Sequence, residues 1–360
     1  MSEVFPQPVD EVPERLREGI VIPAHPLALT VERKLDDRRQ RALTRYYLDA
    51  GAGGLAVGVH TTQFAIREPR YNLLRPVLEL AADVIREHES ATGSRIVRVA
   101  GICGQTPDAL RDAELARELG YDLGLLSLSA LPDADDEALV AHARRVAEVI
   151  PLFGFYLQPD VGGRLLSRRF FSLLAEVPNL IAVKMAAFDR GLTFEAIEGI
   201  EDSGRGDEVI LYTGNDNFII EDLTEGYSIQ TSSGPKLRRM AGGLLGHWAV
   251  WTRAAVTTLG GIKEARVADD FDHRQFSELA SQVTEMNHFL FDFDNGFRGC
   301  IPGVHEILRR QGLLEGVWCL DPDEVLSPGQ GEALTRVCEA HPHLTDDSYM
   351  AENLDRWLSE

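Results

Sequence analysis

The chain has 360 residues, of which 44% are hydrophobic, enough to bury a large core. Its formal net charge of −21 at pH 7 argues against binding to nucleic acid or to anionic membranes, and no basic stripe offsets that charge. No apolar run reaches membrane-spanning length. Four scattered cysteines predict reduced thiols, and the first residues show no signal-peptide pattern, so we expect a cytoplasmic protein.

Eight apolar, strand-like runs alternate with helical patterns. They cover residues 19–29, 53–59, 95–102, 123–129, 152–158, 180–186, 209–214 and 242–250. From residue 95 to residue 209 the runs begin 28 or 29 residues apart, the length of one strand-plus-helix unit. Such alternation requires a parallel sheet, and eight units predict an α/β fold, the (β/α)8 TIM barrel. The alternative is an open doubly wound sheet, but the first turns lack its glycine-rich phosphate loop.

The regular recurrence of strand-like runs ends after residue 252, and helical patterns follow. The sequence therefore predicts a barrel over residues 1–252 and a C-terminal helical extension over residues 253–360. A polar insertion at residues 225–241 precedes the last strand, and it is either a lid over the active site or an ordinary surface loop.

A lysine stands inside the sixth run, NLIAVKMAAF, whose apolar residues predict a strand buried on both faces. Burying an unpaired ammonium is costly, so Lys184 either loses its proton, finds a partner, or reaches solvent from the strand end. A neutral lysine amine is a nucleophile that forms a Schiff base with a carbonyl substrate. Lys184 is therefore the candidate nucleophile, with a solvent-reaching lysine as the alternative.

A tyrosine occupies the matching place one repeat earlier. Tyr156 is the fifth residue counted from Leu152, as Lys184 is counted from Leu180, and the two lie 28 residues apart. Neighbouring strands are about 4.8 Å apart, so equal depth and facing would place the phenol beside the amine. A phenol there can shuttle protons for a Schiff-base lysine. The alternative is a core aromatic whose hydroxyl is satisfied elsewhere.

Two turns that follow strands carry polar groups suited to a small acid. The second run ends in GVHTTQF, where His60, Thr61 and Thr62 offer an imidazole, hydroxyls and backbone N–H groups to a carboxylate. The seventh run ends in TGND, where Gly214 lets a ligand approach the backbone. The pair at 215–216 alternatively caps the next helix.

These motifs resemble those of the dihydrodipicolinate synthase / N-acetylneuraminate lyase family of class I aldolases, over roughly residues 15–315. The family's Tyr-Asn-x-Pro of strand 5 is similar to YLQP at 156–159, and its Gly-(Ile/Val)-Lys of strand 6 to AVK at 182–184. Its strand 2 turn, Gly-Thr-Thr-Gly-Glu, is similar to VHTTQF, and its Gly-Asp/Asn-Asp turn to GND. The separation of Tyr and Lys matches as well.

The resemblance implies a (β/α)8 barrel with a helical C-terminal extension, in a homodimer or homotetramer. It implies Lys184 as the Schiff-base lysine and Tyr156 as the proton relay. It also implies that the strand 2 turn binds the carboxylate of a keto acid. An ungapped alignment with the family motif places His60 and Thr61 at its two threonine positions, whereas an alignment with one gap places Thr61 and Thr62 there.

The sequence also departs from the family pattern. The family's synthases carry an arginine two residues after the strand 5 proline, which grips a second substrate carboxylate, but Val161 stands there. Their strand 4 turn often contains a Pro-Tyr-Tyr run, which SLSALPDADDE lacks. These departures argue against dihydrodipicolinate synthase activity itself. His60 and Trp248 would give the site unusual polar and aromatic walls, with core packing as the alternative for Trp248.

The sequence thus predicts a Schiff-base lyase, an aldolase or hydro-lyase, acting on a 2-keto acid such as pyruvate or its aldol adduct, with an aldehyde as a second partner. No metal or diffusible cofactor is expected, because the covalent imine supplies the electrophile. The alternative is a non-catalytic barrel that binds a small acid as a sensor or scaffold. A barrel enzyme using metal and phosphate is a third class, for which the sequence shows no ligand cluster.

Overall fold

The computed structural model describes residues 5–231, 234–268 and 272–359. Eight strands of one parallel sheet occupy the eight predicted runs. They are β1 Val21–Pro23, β2 Gly54–Val57, β3 Val97–Ile102, β4 Leu123–Leu126, β5 Leu152–Leu157, β6 Leu180–Ala186, β7 Ile210–Thr213 and, after a hairpin described below, β10 Gly242–Leu245. The predicted α/β fold, a (β/α)8 TIM barrel followed by helices, is confirmed.

Helices separate the strands and continue beyond them. They are α1 Glu11–Glu18, α2 Asp37–Ala50, α3 Leu74–Thr92, α4 Thr106–Glu118, α5 Asp136–Ala147, α6 Arg168–Ala175, α7 Arg190–Asp202, α8 Ile219–Thr224, α9 Thr252–Ala268, α10 His273–Leu290, α11 Cys300–Arg310, α12 Gln330–Ala340 and α13 Asp347–Leu358. Side chains of Asp36, Asp135, Ser167 and Asp189 cap four of them by accepting backbone N–H groups. Among the described helices, none combines the length and apolar character that crossing a membrane requires.

The chain divides into two compact units. The first comprises the chain up to Ile20 together with Val97–Gly243, and it holds the parallel strand series β3, β4, β5, β6, β7 and the start of β10. The second comprises Val21–Ile96 and the chain from Leu244 onward, so it holds β1, β2 and the C-terminal helices. The four cysteines, at 103, 300, 319 and 338, are free thiols.

One irregularity in the first unit determines which side chains face Lys184. The pairing of β5 with β6 shifts register immediately after Leu152. Phe155 consequently lies opposite Lys184, and Tyr156 lies opposite Met185. An extra residue of this kind is a β-bulge, and it offsets every later position of one strand relative to the other.

The polar insertion forms a hairpin of two antiparallel strands, β8 Tyr227–Thr231 and β9 Gly234–Arg238. Residues 232–233 of the insertion lie outside the described part of the chain. Lys236 Nζ lies 3.0 Å from Glu201 Oε2 on α7, and Arg238 pairs with the same carboxylate. Arg238 also donates to the carbonyl of Val209, just before β7. These contacts place β9 beside the amino end of β7, which favours the surface alternative over a lid.

Candidate active site

Lys184 lies on β6 with 8% of its surface exposed, so its predicted burial is confirmed. Its Nζ lies 4.7 Å from the centroid of the Phe155 ring, a distance typical of a cation–π contact. Burial lowers the pKa of the amine from 10.5 to about 8, while the negative charge of Asp216 raises it. Roughly one amine in ten is therefore uncharged at pH 7, and this is the form that attacks a carbonyl.

The turn after β7 lies directly against the lysine side chain. Gly214 donates its backbone N–H to the carbonyl of Met185 at 2.6 Å. A Cβ at Gly214 would clash with Lys184 Cε, and it would lie 2.8 Å from Lys184 Cγ and 3.0 Å from Ala186 Cβ. Because Gly214 has ordinary, not left-handed, backbone angles, space rather than conformation requires the glycine here.

A buried carboxylate holds this turn in place. Asp222 on α8 accepts hydrogen bonds from Thr213 Oγ1 at 2.7 Å, from Asn215 Nδ2 at 2.9 Å and from the Tyr227 hydroxyl. Asn215 Oδ1 in turn accepts the backbone N–H of Phe188, just beyond β6. Burial raises the pKa of the Asp222 carboxyl, and its three hydrogen bonds lower it. The network fixes the turn relative to the end of β6.

We expect Asp222→Ala to destabilise the fold by about 3 kcal/mol, because three buried donors lose their acceptor. Urea unfolding followed by circular dichroism measures this change. Asp207→Asn is the matched control, since Asp207 is 87% exposed and pairs only at the surface with Lys236. The control should change the free energy of unfolding by under about 0.5 kcal/mol. Equal losses in the two variants would contradict the role given to Asp222.

The predicted equal facing of Tyr156 and Lys184 is wrong. Phe155 takes the position opposite the lysine, and strand alternation turns the next side chain, Tyr156, to the other face of the sheet. There the Tyr156 ring packs 5.3 Å from that of Phe171 on α6, and its hydroxyl accepts the N–H of Leu166 at 3.4 Å. Burial raises the pKa of this hydroxyl. Tyr156 is a core aromatic of the helix-covered face, which was the structural alternative.

In the second unit, the strand 2 turn forms a short 3-10 helix, His60–Thr62. Thr61 Oγ1 donates to the carbonyl of Ala24 at 2.8 Å, and Thr62 Oγ1 donates to that of His25 at 2.6 Å. Thr62 Oγ1 also accepts two N–H groups of its own turn. Both hydroxyl protons thus bind backbone that follows β1, and the donors they offer to a carboxylate are already engaged.

The remaining predicted residues lie in the second unit as well. His60 is partly exposed, and its ring meets that of Phe64 edge-on at 5.9 Å. Trp248 is 3% exposed in the 3-10 helix His247–Ala249, which contacts β1, so its packing is that of a core residue. The structure brings Gly214 against Lys184. The first unit holds Lys184, Tyr156 and Gly214, and the second holds His60, Thr61, Thr62 and Trp248.

Sequence reasoning assigned no role to Phe155, which contacts the lysine, or to Asp222, which holds the turn after β7, and it did not select Asp216 as a site residue. Asp216 stood in the TGND motif, where a helix-capping role was the alternative considered. The N-cap position of α8 is Phe218, so neither residue of the pair at 215–216 occupies it. The position of Phe155 opposite the lysine depends on the register shift, which the sequence does not reveal. Nothing in the sequence distinguished Asp222 from any other acidic residue of a helix.

Known proteins provide an independent test of the fold. No protein-family model matches the chain. The curated 4-hydroxy-tetrahydrodipicolinate synthase of Cyanothece sp. (strain PCC 7425 / ATCC 29141) is 26% identical over 148 residues, which are 40% of this chain and 48% of the relative. The chain therefore spans about half the length of the curated relative that it matches.

Two solved structures share the fold over most of the chain. YagE from E. coli K12, a prophage protein of the dihydrodipicolinic acid synthase family in complex with pyruvate, superposes with a TM-score of 0.69 at 16% identity, covering 89% of this chain and 97% of that one. N-acetylneuraminate lyase from Fusobacterium nucleatum gives 0.68 at 15% identity, covering 92% and 100%. The resemblance found in the motifs is confirmed at the level of the fold: the chain has the barrel fold of dihydrodipicolinate synthase and N-acetylneuraminate lyase structures.

Proposed function

We propose that the chain is a divergent member of the dihydrodipicolinate synthase / N-acetylneuraminate lyase family and a Schiff-base lyase. Its substrate class is a 2-keto acid, such as pyruvate or an aldol adduct of pyruvate. The observation that carries the proposal is a buried lysine, Lys184, whose pKa is lowered to about 8. The lyase and synthase relatives, and the pyruvate bound by YagE, support the reaction type and the substrate class.

In the proposed reaction, the Lys184 amine adds to the keto carbon and water leaves, giving a protonated imine. The imine withdraws electrons from the adjacent bond, which allows carbon–carbon cleavage, its reverse, or dehydration. The Phe155 ring, whose centroid lies 4.7 Å from Nζ, stabilises this cation as it does the ammonium. The imine is the electron sink, so the proposal requires no metal or diffusible cofactor. In the aldol direction an aldehyde is the second partner, and we retain a homo-oligomer as the proposed assembly.

A second candidate has one specific observation in its favour. Tyr156, the expected proton relay, faces the helix layer and not Lys184. A barrel that had lost its chemistry would keep the lysine as a cation that binds a small acid. In such a sensor or scaffold, Lys184 would pair with the carboxylate of the ligand and would form no covalent bond.

Borohydride reduction in the presence of pyruvate separates the two candidates. We expect a reduced pyruvate adduct on wild-type protein, mapped by peptide mass spectrometry to Lys184 and not to the exposed Lys34. A panel of 2-keto acids then ranks the substrates by trapping rate. If no keto acid gives an adduct on folded protein, while calorimetry detects binding of the same acids, the non-catalytic barrel is the correct function.

A further inference from the structure

The strand beside Lys184 presents apolar side chains on the face of the sheet that carries the lysine. Phe155 lies opposite Lys184, and Leu157 lies opposite Ala186. The Phe155 ring, 4.7 Å from Lys184 Nζ, shows that these two residues share a face. Residues two positions apart in a strand point the same way, so Leu157 and Ala186 lie on that face too. They stand one layer nearer to the carboxyl ends of the strands, where barrels of this kind bind their substrates.

The other neighbour of the lysine adds no polar side chain. Gly214 directs its missing side chain toward β6, since a Cβ there would lie 3.0 Å from Ala186 Cβ. Phe155, Leu157 and Ala186 are only 7%, 9% and 2% exposed, and none of their side chains forms hydrogen bonds. A polar or charged group of a ligand placed against this wall would lose its water and gain no partner, which is costly.

The turn that follows β5 offers no free cation to a ligand carboxylate. The 3-10 helix Pro159–Val161 carries one charged side chain, the exposed and acidic Asp160. Between residues 158 and 167 the single basic residue is Arg164. Its Nη1 donates to the carbonyl of Leu131, and its Nη2 donates to that of Ala134 at 2.9 Å. Arg164 therefore holds two loops together, and its guanidinium is engaged by backbone.

We propose that the second substrate of the Lys184 site is an aldehyde with an apolar body, an inference that rests on the proposed function. The imine of pyruvate loses one proton from its methyl group and becomes an enamine. The enamine carbon bonds to the aldehyde carbon, and the aldehyde oxygen takes up one proton. Water then hydrolyses the imine, which releases a 4-hydroxy-2-keto acid and restores the Lys184 amine. The aldehyde's apolar body packs against Phe155 and Leu157, where its burial stabilises the complex.

The test supplies the protein with pyruvate and one of two aldehydes of similar size, the apolar 3-methylbutanal or the carboxylate succinic semialdehyde. Product formation is followed by liquid chromatography with mass spectrometry, and kcat/KM for each aldehyde is measured at saturating pyruvate. We expect wild type to favour 3-methylbutanal by about 100-fold, because the carboxylate has no partner on the wall. The ratio of the two values is the readout, so a general loss of activity in a variant cancels.

Variants of the β5 wall locate the origin of the preference. Leu157→Asn should lower the ratio by about 10-fold, because it replaces buried apolar surface with an amide. Leu157→Ala should lower it by about 5-fold by shortening the wall, and this milder change serves if the asparagine variant does not fold. Leu237→Asn is the matched control, since Leu237 is 52% exposed on the hairpin, and it should keep the wild-type ratio.

Other results would overturn the inference in distinguishable ways. Wild type that traps pyruvate with borohydride, but uses succinic semialdehyde at least as well as 3-methylbutanal or condenses neither, would refute the apolar second substrate and leave the proposed function standing. A wild-type preference that both Leu157 variants retain would show that the β5 wall does not select the aldehyde. If wild type traps no keto acid at all, the proposed function fails, and this inference fails with it.

Discussion

Replacing Lys184 with methionine is expected to abolish trapping of every keto acid and, at the same time, to stabilise the fold. Methionine has a similar length and no charge, so it can occupy the same buried space. Burial lowers the pKa of Lys184 from 10.5 to about 8, which corresponds to about 3 kcal/mol of unfolding free energy lost at pH 7. A stability cost of this size is common at active sites, and it is consistent with the role proposed for Lys184.

The pH dependence of the unfolding free energy shows whether burial of Lys184 stabilises or destabilises the fold. Between pH 8 and pH 10.5 the folded chain has released the Lys184 proton and the unfolded chain still holds it, so wild-type stability rises with pH in that window. The gain in unfolding free energy of Lys184→Met over wild type should be constant below pH 8 and should decrease between pH 8 and pH 10.5. Urea unfolding at several pH values measures it. Lys236→Met is the matched control, because Lys236 is paired with two carboxylates and its loss should destabilise. A less stable Lys184→Met protein would contradict the account.

Gly214→Ala is expected to displace the lysine and to slow pyruvate trapping by about 100-fold. The added Cβ would clash with Lys184 Cε and crowd Cγ, so the amine must leave its position over the Phe155 ring. Displacements of about 1 Å from a reactive geometry cost on the order of 100-fold in rate. Overpacking should also cost about 1–3 kcal/mol of stability. Trapping kinetics and urea unfolding measure the two effects.

A double-mutant cycle isolates the contact between the two residues. A Lys184→Ala background removes the two atoms nearest to the added methyl group, Lys184 Cε and Cγ, so Gly214→Ala should cost much less stability there. We expect an interaction energy of about 1–2 kcal/mol from the cycle. Purely additive effects would show that the turn and the lysine do not touch, and wild-type trapping by Gly214→Ala would show that the amine tolerates movement.

The fold could be predicted from the sequence because its signal is repeated. Eight apolar runs, five of them at steps of 28 or 29 residues, gave the strands to within a few residues. The burial of Lys184 was also predictable, since it stands in the middle of a continuous apolar strand. Both features follow from runs of apolar residues that are adjacent in the chain, so they can be read from the sequence.

The placement of Tyr156 could not be predicted, because counting along each strand assumes an unbroken ladder. A single register shift after Leu152 moves Phe155 opposite Lys184 and reverses the facing of the phenol. The threonines of the strand 2 turn show a similar limit. Their hydroxyls suit a carboxylate, but whether Thr61 and Thr62 donate to a ligand or to the backbone depends on how the turn meets the carbonyls of residues 24–25.

The most direct test of the central claim is a crystal structure of the protein soaked with pyruvate at neutral pH. The account predicts continuous electron density between Lys184 Nζ and the keto carbon, with the Phe155 ring facing the new bond and the turn at 214–216 beside it. Pyruvate bound elsewhere, or bound near a lysine whose density ends at Nζ, would contradict the imine and leave a barrel that binds acids without acting on them.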